Sequence, residues 1–283
     1  MEALQGRREE WTTRCPHCGR ELLTFRGLIA SAATASGGGI SDLPMECSCE
    51  AARAERLATA GEAERAEEEA RRAELERRRE RRFVSSGMPG AWRDMSLLHW
   101  DTNGESRAAA YAAAERFIRE AAHPGGRARS LFISGGVGTG KTFFAACIAR
   151  DLHRQLVWVQ WASVGMILGA LRDCYGRGES AEAALSKYKR TAVLVLDDLG
   201  KERPTEWAVE QLYALINHRY EHDLPTIITT TYGGERLTKR LTPPAAAGDW
   251  ADDTTARAIV DRLREVCVPV TLTGESRRQR AQV

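Results

Sequence analysis

An eight-residue run, Gly135-Gly136-Val137-Gly138-Thr139-Gly140-Lys141-Thr142, leaves few folds open to this chain. It satisfies G-x-x-x-x-G-K-[ST] in full. An apolar stretch at 130–134 (SLFIS) precedes it, and a helix-forming stretch at 142–153 follows. Glycines let backbone N–H groups close in on phosphate oxygens, and the helix N-terminus adds a dipole that favours anions. The context predicts a phosphate-binding loop between a strand and a helix. Lys141 is expected to reach the β- and γ-phosphates, and the Thr142 hydroxyl to ligate Mg²⁺. Beside it, 193–198 (VLVLDD) reads as an apolar strand ending in two carboxylates. In P-loop nucleotide hydrolases such an acid lies near the magnesium. Asp197 takes that role here, and Asp198 is expected to orient the attacking water.

The rest of the C-terminal part alternates. Strands are expected at 130–134, 156–161, 192–196, 226–230 and 268–272, helices at 142–153, 163–173, 205–222 and 254–266, and a turn at 175–179. Strands alternating with helices imply a parallel sheet covered on both faces. Trp158 and Trp161 fall in or beside a strand pattern and read as core.

Composition shifts divide the 283 residues into three parts: 1–50, 51–83 and 84–283. The first holds Cys15-Pro16-His17-Cys18-Gly19, a zinc-knuckle pattern, and a second pair, Cys47 and Cys49, with one residue between them. Four thiolates make the simplest tetrahedral Zn²⁺ site, with His17 as a substitute for one ligand. So small a segment has little core of its own, which a metal staple would offset. The second part is almost all Ala, Arg and Glu, strong helix formers. Glu67 and Arg71, Glu68 and Arg72, and Glu74 and Arg78 are i,i+4 pairs in the favourable order. It lacks an apolar stripe, so a solvated spacer helix about 50 Å long is expected rather than a coiled coil. Cys147, Cys174 and Cys267 are scattered and read as small buried or half-exposed side chains.

Charge and hydropathy exclude other classes. Lys plus Arg is 41 and Asp plus Glu 39, a net +2, so nucleic-acid binding by bulk charge is excluded and only local clusters remain. Apolar residues at 43% argue against wholesale disorder. No apolar run reaches the length of a membrane helix, and the first residues lack a secretory apolar segment, so a cytoplasmic protein is expected.

The motifs SGGVGTGKT, LVLDDLGKE, PTIITTTY, ARAIVDRL and the terminal TGESRR resemble, in that order, the AAA+ ATPases of the DnaC/DnaI helicase-loader family, which also takes in IstB-type transposition helpers. The resemblance covers about 84–278. It implies a P-loop AAA+ parallel sheet flanked by helices, here preceded by a small zinc-ribbon-like module and the long charged helix. It also implies that Ser86-Gly87-Met88-Pro89, followed by Trp92-Arg93-Asp94, leads into the core near the adenine. The family's polar sensor, commonly Asn, falls on Thr231, a departure consistent with slow turnover. ARAIVDRL resembles the box that carries an arginine finger acting on a neighbouring subunit; Arg262 matches best and Arg257 next. Arg278, with Arg277 adjacent, falls at the second sensor. The family's cofactors are ATP and Mg²⁺, and its loaders assemble with themselves, with a hexameric DnaB-like replicative helicase and with single-stranded DNA. Loaders of the DnaI and phage type also carry an N-terminal zinc module that contacts the helicase. Arg172, Arg177, Lys187, Lys189 and Arg190 are candidates for the DNA contact, with Lys239 and Arg240 also possible. A solvated basic face is the alternative.

Three functions remain open on these residues. The first is an ATP-dependent loader of a replicative helicase. The others are an IstB-like transposition helper with the same core, and a nucleotide-gated adaptor with negligible turnover.

Overall fold

The computed structural model describes residues 12–29, 39–44, 46–178, 180–244 and 252–276. The chain divides into two compact units, Met1–Leu75 and Glu76–Val283.

The first unit holds three antiparallel strands in the order β1 (Thr12–Arg14), β2 (Glu21–Ile29), β3 (Gly39–Pro44). Cys15 and Cys47, both buried, adjoin this small sheet. Helix α1 (Glu50–Ser85) begins in this unit, and its residues past Ala52 are almost all exposed, as the missing apolar stripe predicts.

From Glu76 the helix belongs to the second unit. Phe83 is 2% exposed, and Arg79 Nε donates to the Arg154 carbonyl at 2.8 Å. Beyond it come α2 (Glu105–Ala122), β4 (Ser130–Gly135), α3 (Lys141–Arg154), β5 (Val159–Ser163), α4 (Val164–Gly176) and α5 (Ala181–Arg190). They are followed by β6 (Val193–Leu199), α6 (Glu206–Glu221), β7 (Thr226–Thr230), α7 (Gly234–Leu241), α8 (Thr254–Val266) and β8 (Cys267–Leu272). The five strands form a parallel sheet in the order β5-β6-β7-β4-β8.

Strand periodicity builds two cores. Val193 and Val195 of β6, Ile227 of β7 and Leu131 and Ile133 of β4 point to the face covered by α2 and α3, where Phe117, Phe144 and Ile148 are buried. Leu194, Leu196 and Ile228 point to the other face, against Leu168 of α4, Leu212 of α6 and Ile259 of α8. A sheet buried on both sides explains the near-continuous apolar runs. The edge strand β5 is met by the chain leaving α1: Trp161 N–H donates to the Ser86 carbonyl at 2.7 Å, and Gln160 Nε2 to the Ser85 carbonyl at 3.1 Å.

The expected strand at 156–161 starts late, at Val159. Leu156 takes φ +60° in a turn, and Trp158 stays outside the sheet, 51% exposed, with the Arg82 guanidinium 5.9 Å from its ring centre. Trp158 is therefore surface, not core, while Trp161 is buried as expected. Cys147, Cys174 and Cys267 are all buried. The stretches 105–122, 181–190 and 234–241, unassigned in the sequence, form helices α2, α5 and α7.

Candidate functional site

β4, β6 and β7 end on one edge of the sheet, and the Gly-rich loop leaves β4 there. Gly135 lies so close to β8 that an added Cβ would stand 2.3 Å from the Leu272 carbonyl oxygen. Gly138, with φ +81°, needs a residue free of Cβ strain. Thr139, nearly buried, closes the loop by donating from Oγ1 to the Gly136 carbonyl at 3.0 Å. α3 begins at Lys141, so its free N–H groups face the loop. Lys141 Nζ folds back to the carbonyls of Gly135 (3.0 Å) and Gly136 (2.7 Å). Val137 projects from the loop, 72% exposed.

The loop, Asp197, Asp198, Lys201 and Thr231 line one cleft of about 540 Å³, whose remaining wall is aromatic: Trp92, Trp100 and Phe143. Trp100 packs on Phe144 with ring centres 4.4 Å apart and carries the Arg107 guanidinium at 4.8 Å on its face. Trp92, from the segment expected near an adenine, meets Phe143 edge-on at 6.0 Å.

At the base of the cleft Thr142 Oγ1 donates to Asp197 Oδ1 at 3.1 Å, so the two expected magnesium ligands touch. A hydroxyl and a carboxylate oxygen beside a phosphate loop are a hard-oxygen donor pair suited to Mg²⁺. Burial pushes the Asp197 carboxyl above the ordinary aspartate range, and the hydroxyls of Thr229 and Thr142 pull it back in part. Thr229, fully buried in β7, was not singled out in the sequence; it donates to Asp197 Oδ1 at 2.5 Å and accepts the Asp198 N–H at 2.9 Å. A threonine in an apolar strand reads as ordinary β-former, so no sequence signal marks it. Asp198 sits at φ +60°, inside the irregularity of the β6–β7 ladder between Leu196 and Leu199, with Oδ2 2.5 Å from Lys201 Nζ.

Arg262 is not brought to this cleft. Nε donates to Asn217 Oδ1 at 2.7 Å, Nη2 to the Tyr213 hydroxyl at 2.9 Å and Nη1 to the Ala258 carbonyl at 3.2 Å, pinning α8 to α6. Arg257 is exposed and pairs with Asp253 at 2.7 Å. Arg277 and Arg278 lie outside the described residues. Of the basic candidates, Lys189 pairs with Glu182 at 2.7 Å and Lys187 lies over the Tyr188 ring at 4.7 Å. Arg177 reaches the Cys174 sulfur at 3.8 Å. Arg172 lies 5.2 Å over Trp207, which meets the half-exposed Tyr175 edge-on at 6.1 Å. This cation–aromatic group joins α4 to α6, and neither aromatic was a candidate in the sequence.

In the first unit, the sulfurs of Cys15, Cys18, Cys47 and Cys49 all lie within 4.8 Å of one another. The Cys15–Cys49 and Cys18–Cys47 distances are 3.8 and 3.5 Å. A regular tetrahedron with metal–sulfur bonds of about 2.3 Å has edges of about 3.8 Å, so four thiolates at this spacing could hold a metal ion. The Cys18 backbone N–H, offset in part by desolvation, holds the Cys15 thiol at about 6. At Cys18 the Arg20 backbone N–H pulls down, yet the Cys47 thiol, desolvation and the other two thiols push it up to about 11. His17 is turned elsewhere, with Nε2 2.6 Å from Glu55 Oε2.

A family model described as IstB-like ATP binding protein matches residues 62–283. The replicative helicase loader DnaI of Bacillus subtilis (strain 168) is 28% identical over 154 residues, 54% of this chain and 49% of that protein. The replicative helicase loader DnaC of Escherichia coli (strain K12) is 26% identical over 163 residues, 57% and 65% of the two chains. The chain thus spans about half to two thirds of these relatives' lengths. Among solved structures, a crystal structure of DnaI superposes with TM-score 0.57 at 28% identity, over 68% of this chain and 94% of that one. A crystal structure of the DnaC helicase loader gives 0.54 at 21% identity, over 65% and 100%, a likeness of fold.

Proposed function

Because the chain belongs to the family of IstB-like ATP binding proteins, we propose that it is a Mg²⁺-dependent ATPase that loads a replicative DNA helicase onto single-stranded DNA. The contact that carries the hydrolytic part is Thr142 Oγ1 on Asp197 Oδ1 at 3.1 Å, beside Lys141 and under an aromatic wall. The loop N–H groups and Lys141 would bind the phosphates, and Trp92, Trp100 and Phe143 would take the base. Thr142 and Asp197 would hold Mg²⁺, whose charge offsets that developing on the transferred phosphoryl group. Asp198 would orient water, and Thr231, which lines the same cleft, would contact it or the terminal phosphate. With Arg262 absent from its own cleft, a finger role requires a second copy.

The loading part is supported by the names of the relatives and by the four-thiol module, which we assign to Zn²⁺ and to helicase docking. We take the module as 1–50, the spacer as 51–83 and the ATPase as 84–283, with the spacer helix from Glu76 onward packed as part of the ATPase unit. Arg172, Trp207 and Tyr175 suit single-stranded DNA, since each nucleotide offers a base with a π-face to stack and a backbone phosphate to neutralise. None of the described helices is long and apolar enough to cross a membrane.

The deciding experiment is co-purification of the full chain with a hexameric replicative helicase in the presence of ATP, alongside Lys141→Ala and Cys47→Ser. Binding by wild type that is lost in Cys47→Ser is expected. No helicase binding, with ATP-dependent coating of duplex DNA instead, would transfer the chain to the transposition helpers.

A further inference from the structure

The end of β6 and the turn after it, where the Glu202 carboxylate accepts the Gly200 N–H at 3.1 Å, are held from one neighbouring segment, the end of β7 and α7. Thr229 accepts the Asp198 N–H, and Thr230 Oγ1 donates to the Leu199 carbonyl at 2.7 Å. Arg240 donates from Nε to the Gly200 carbonyl at 2.6 Å and from Nη2 to the Lys201 carbonyl at 3.4 Å. Gly200, buried at φ +90°, packs tightly against α7 and the segment before it: an added Cβ would stand 3.0 Å from Tyr232 Cδ2 and 3.2 Å from Leu237 Cδ1. Asp198 occupies left-handed φ without being glycine, a strained conformation that persists where neighbours over-determine it. Its carboxylate direction therefore depends on what fixes the turn.

We propose that Arg240 is a positioning residue for hydrolysis. By clamping two successive carbonyls it sets the turn that aims the Asp198 carboxylate, and Lys201 paired with it, into the phosphate cleft. One planar guanidinium suits two adjacent acceptors in a way that an ammonium does not. Arg240 touches no reacting atom; it acts through the turn. The proposal rests on the hydrolytic reading of the site.

The test compares full-length wild type with Arg240→Ala, Arg240→Lys and Arg236→Ala, the last on the same helix with its side chain exposed. ATP turnover, affinity for a fluorescent ATP analogue and amide hydrogen exchange at 198–202 are measured. Arg240→Ala is expected to exchange faster at 198–202 and to lose about ten-fold or more in kcat, with KM and analogue affinity held within about two-fold. Arg240→Lys should fall between, and Arg236→Ala should match wild type. Unchanged exchange in Arg240→Ala overturns the proposal, as does unchanged kcat or a loss confined to KM. If wild type turns over no faster than Lys141→Ala, the ATPase reading fails. Exchange then decides alone, and faster exchange in Arg240→Ala keeps Arg240 as the residue that sets the turn.

Discussion

The Thr229 hydroxyl lies 2.5 Å from Asp197 Oδ1 and holds the Asp198 backbone through its other face. One buried oxygen thus ties together the carboxylate placed to hold magnesium and the residue placed to orient water. Both are held by β7, the strand next to β6, and the phosphate loop adds the Thr142 hydroxyl on Asp197 Oδ1 at 3.1 Å.

Replacing Thr229 by Val keeps the shape and removes that oxygen. Turnover is expected to fall about 10- to 100-fold, with ATP affinity changed far less. Stability should drop by about 1–3 kcal/mol, because the Asp198 N–H loses its partner. Steady-state hydrolysis and denaturant melts of Thr229→Val test both.

Arg262 pins α8 to α6, so Arg262→Ala alone mixes packing with catalysis. Mixing separates them. Lys141→Ala supplies an intact Arg262, and Arg262→Ala an intact phosphate loop. If the finger acts between copies, the two inactive variants together should recover a substantial fraction of wild-type turnover, since such an arginine is worth about 10³–10⁵ in rate. A mixture no faster than either variant would leave Arg262 as a packing residue only.

Each chain should carry one zinc ion, measured by mass spectrometry of the purified protein. Cys18→Ser and Cys47→Ser should each lose it, and removing the metal with a chelator should make the freed thiolates take up protons at neutral pH. Circular dichroism should show the loss of structure confined to the first unit, with nucleotide binding intact.

His153 is fully buried against the edge of Phe83, and neither ring nitrogen has a hydrogen-bond partner among the described residues. Burial first, then the charges of Arg150 and Arg82, pull it down from 6.5 to about 4. The unfolded chain therefore binds the extra proton between those values, so stability falls as pH drops from about 6.5 towards 4. The expected loss is on the order of 2 kcal/mol at pH 5 relative to pH 7.5. Urea melts at the two pH values measure it, and His153→Leu should remove this part of the slope.

Legibility followed how local the signal was. The phosphate loop and Asp197 are written in contiguous residues whose order the chemistry itself demands, and Thr142 and Asp197 meet in space. Thr229 and Arg240 act through neighbours 31 and 40 positions away, and a strand threonine or a helix arginine looks the same whatever it holds. Trp158 was misplaced because a strand pattern does not show its first residue; the turn at Leu156 does. Helix α2, rich in alanine, carries its apolar face on small side chains, Ala110, Ala113 and Ala114, which leave little stripe to read.

The contact between Ser86 and Trp161 bears on how the ATPase unit can be handled. An unpaired edge strand is a template for other chains. Here the residues leaving α1 cover part of that edge, while Phe83 fills the core beneath. Cutting the chain at 84 would empty that space and loosen the cover, inviting aggregation. Such a fragment could fail to bind a helicase by precipitating. A fragment that begins at Glu76 keeps its own lid on the sheet.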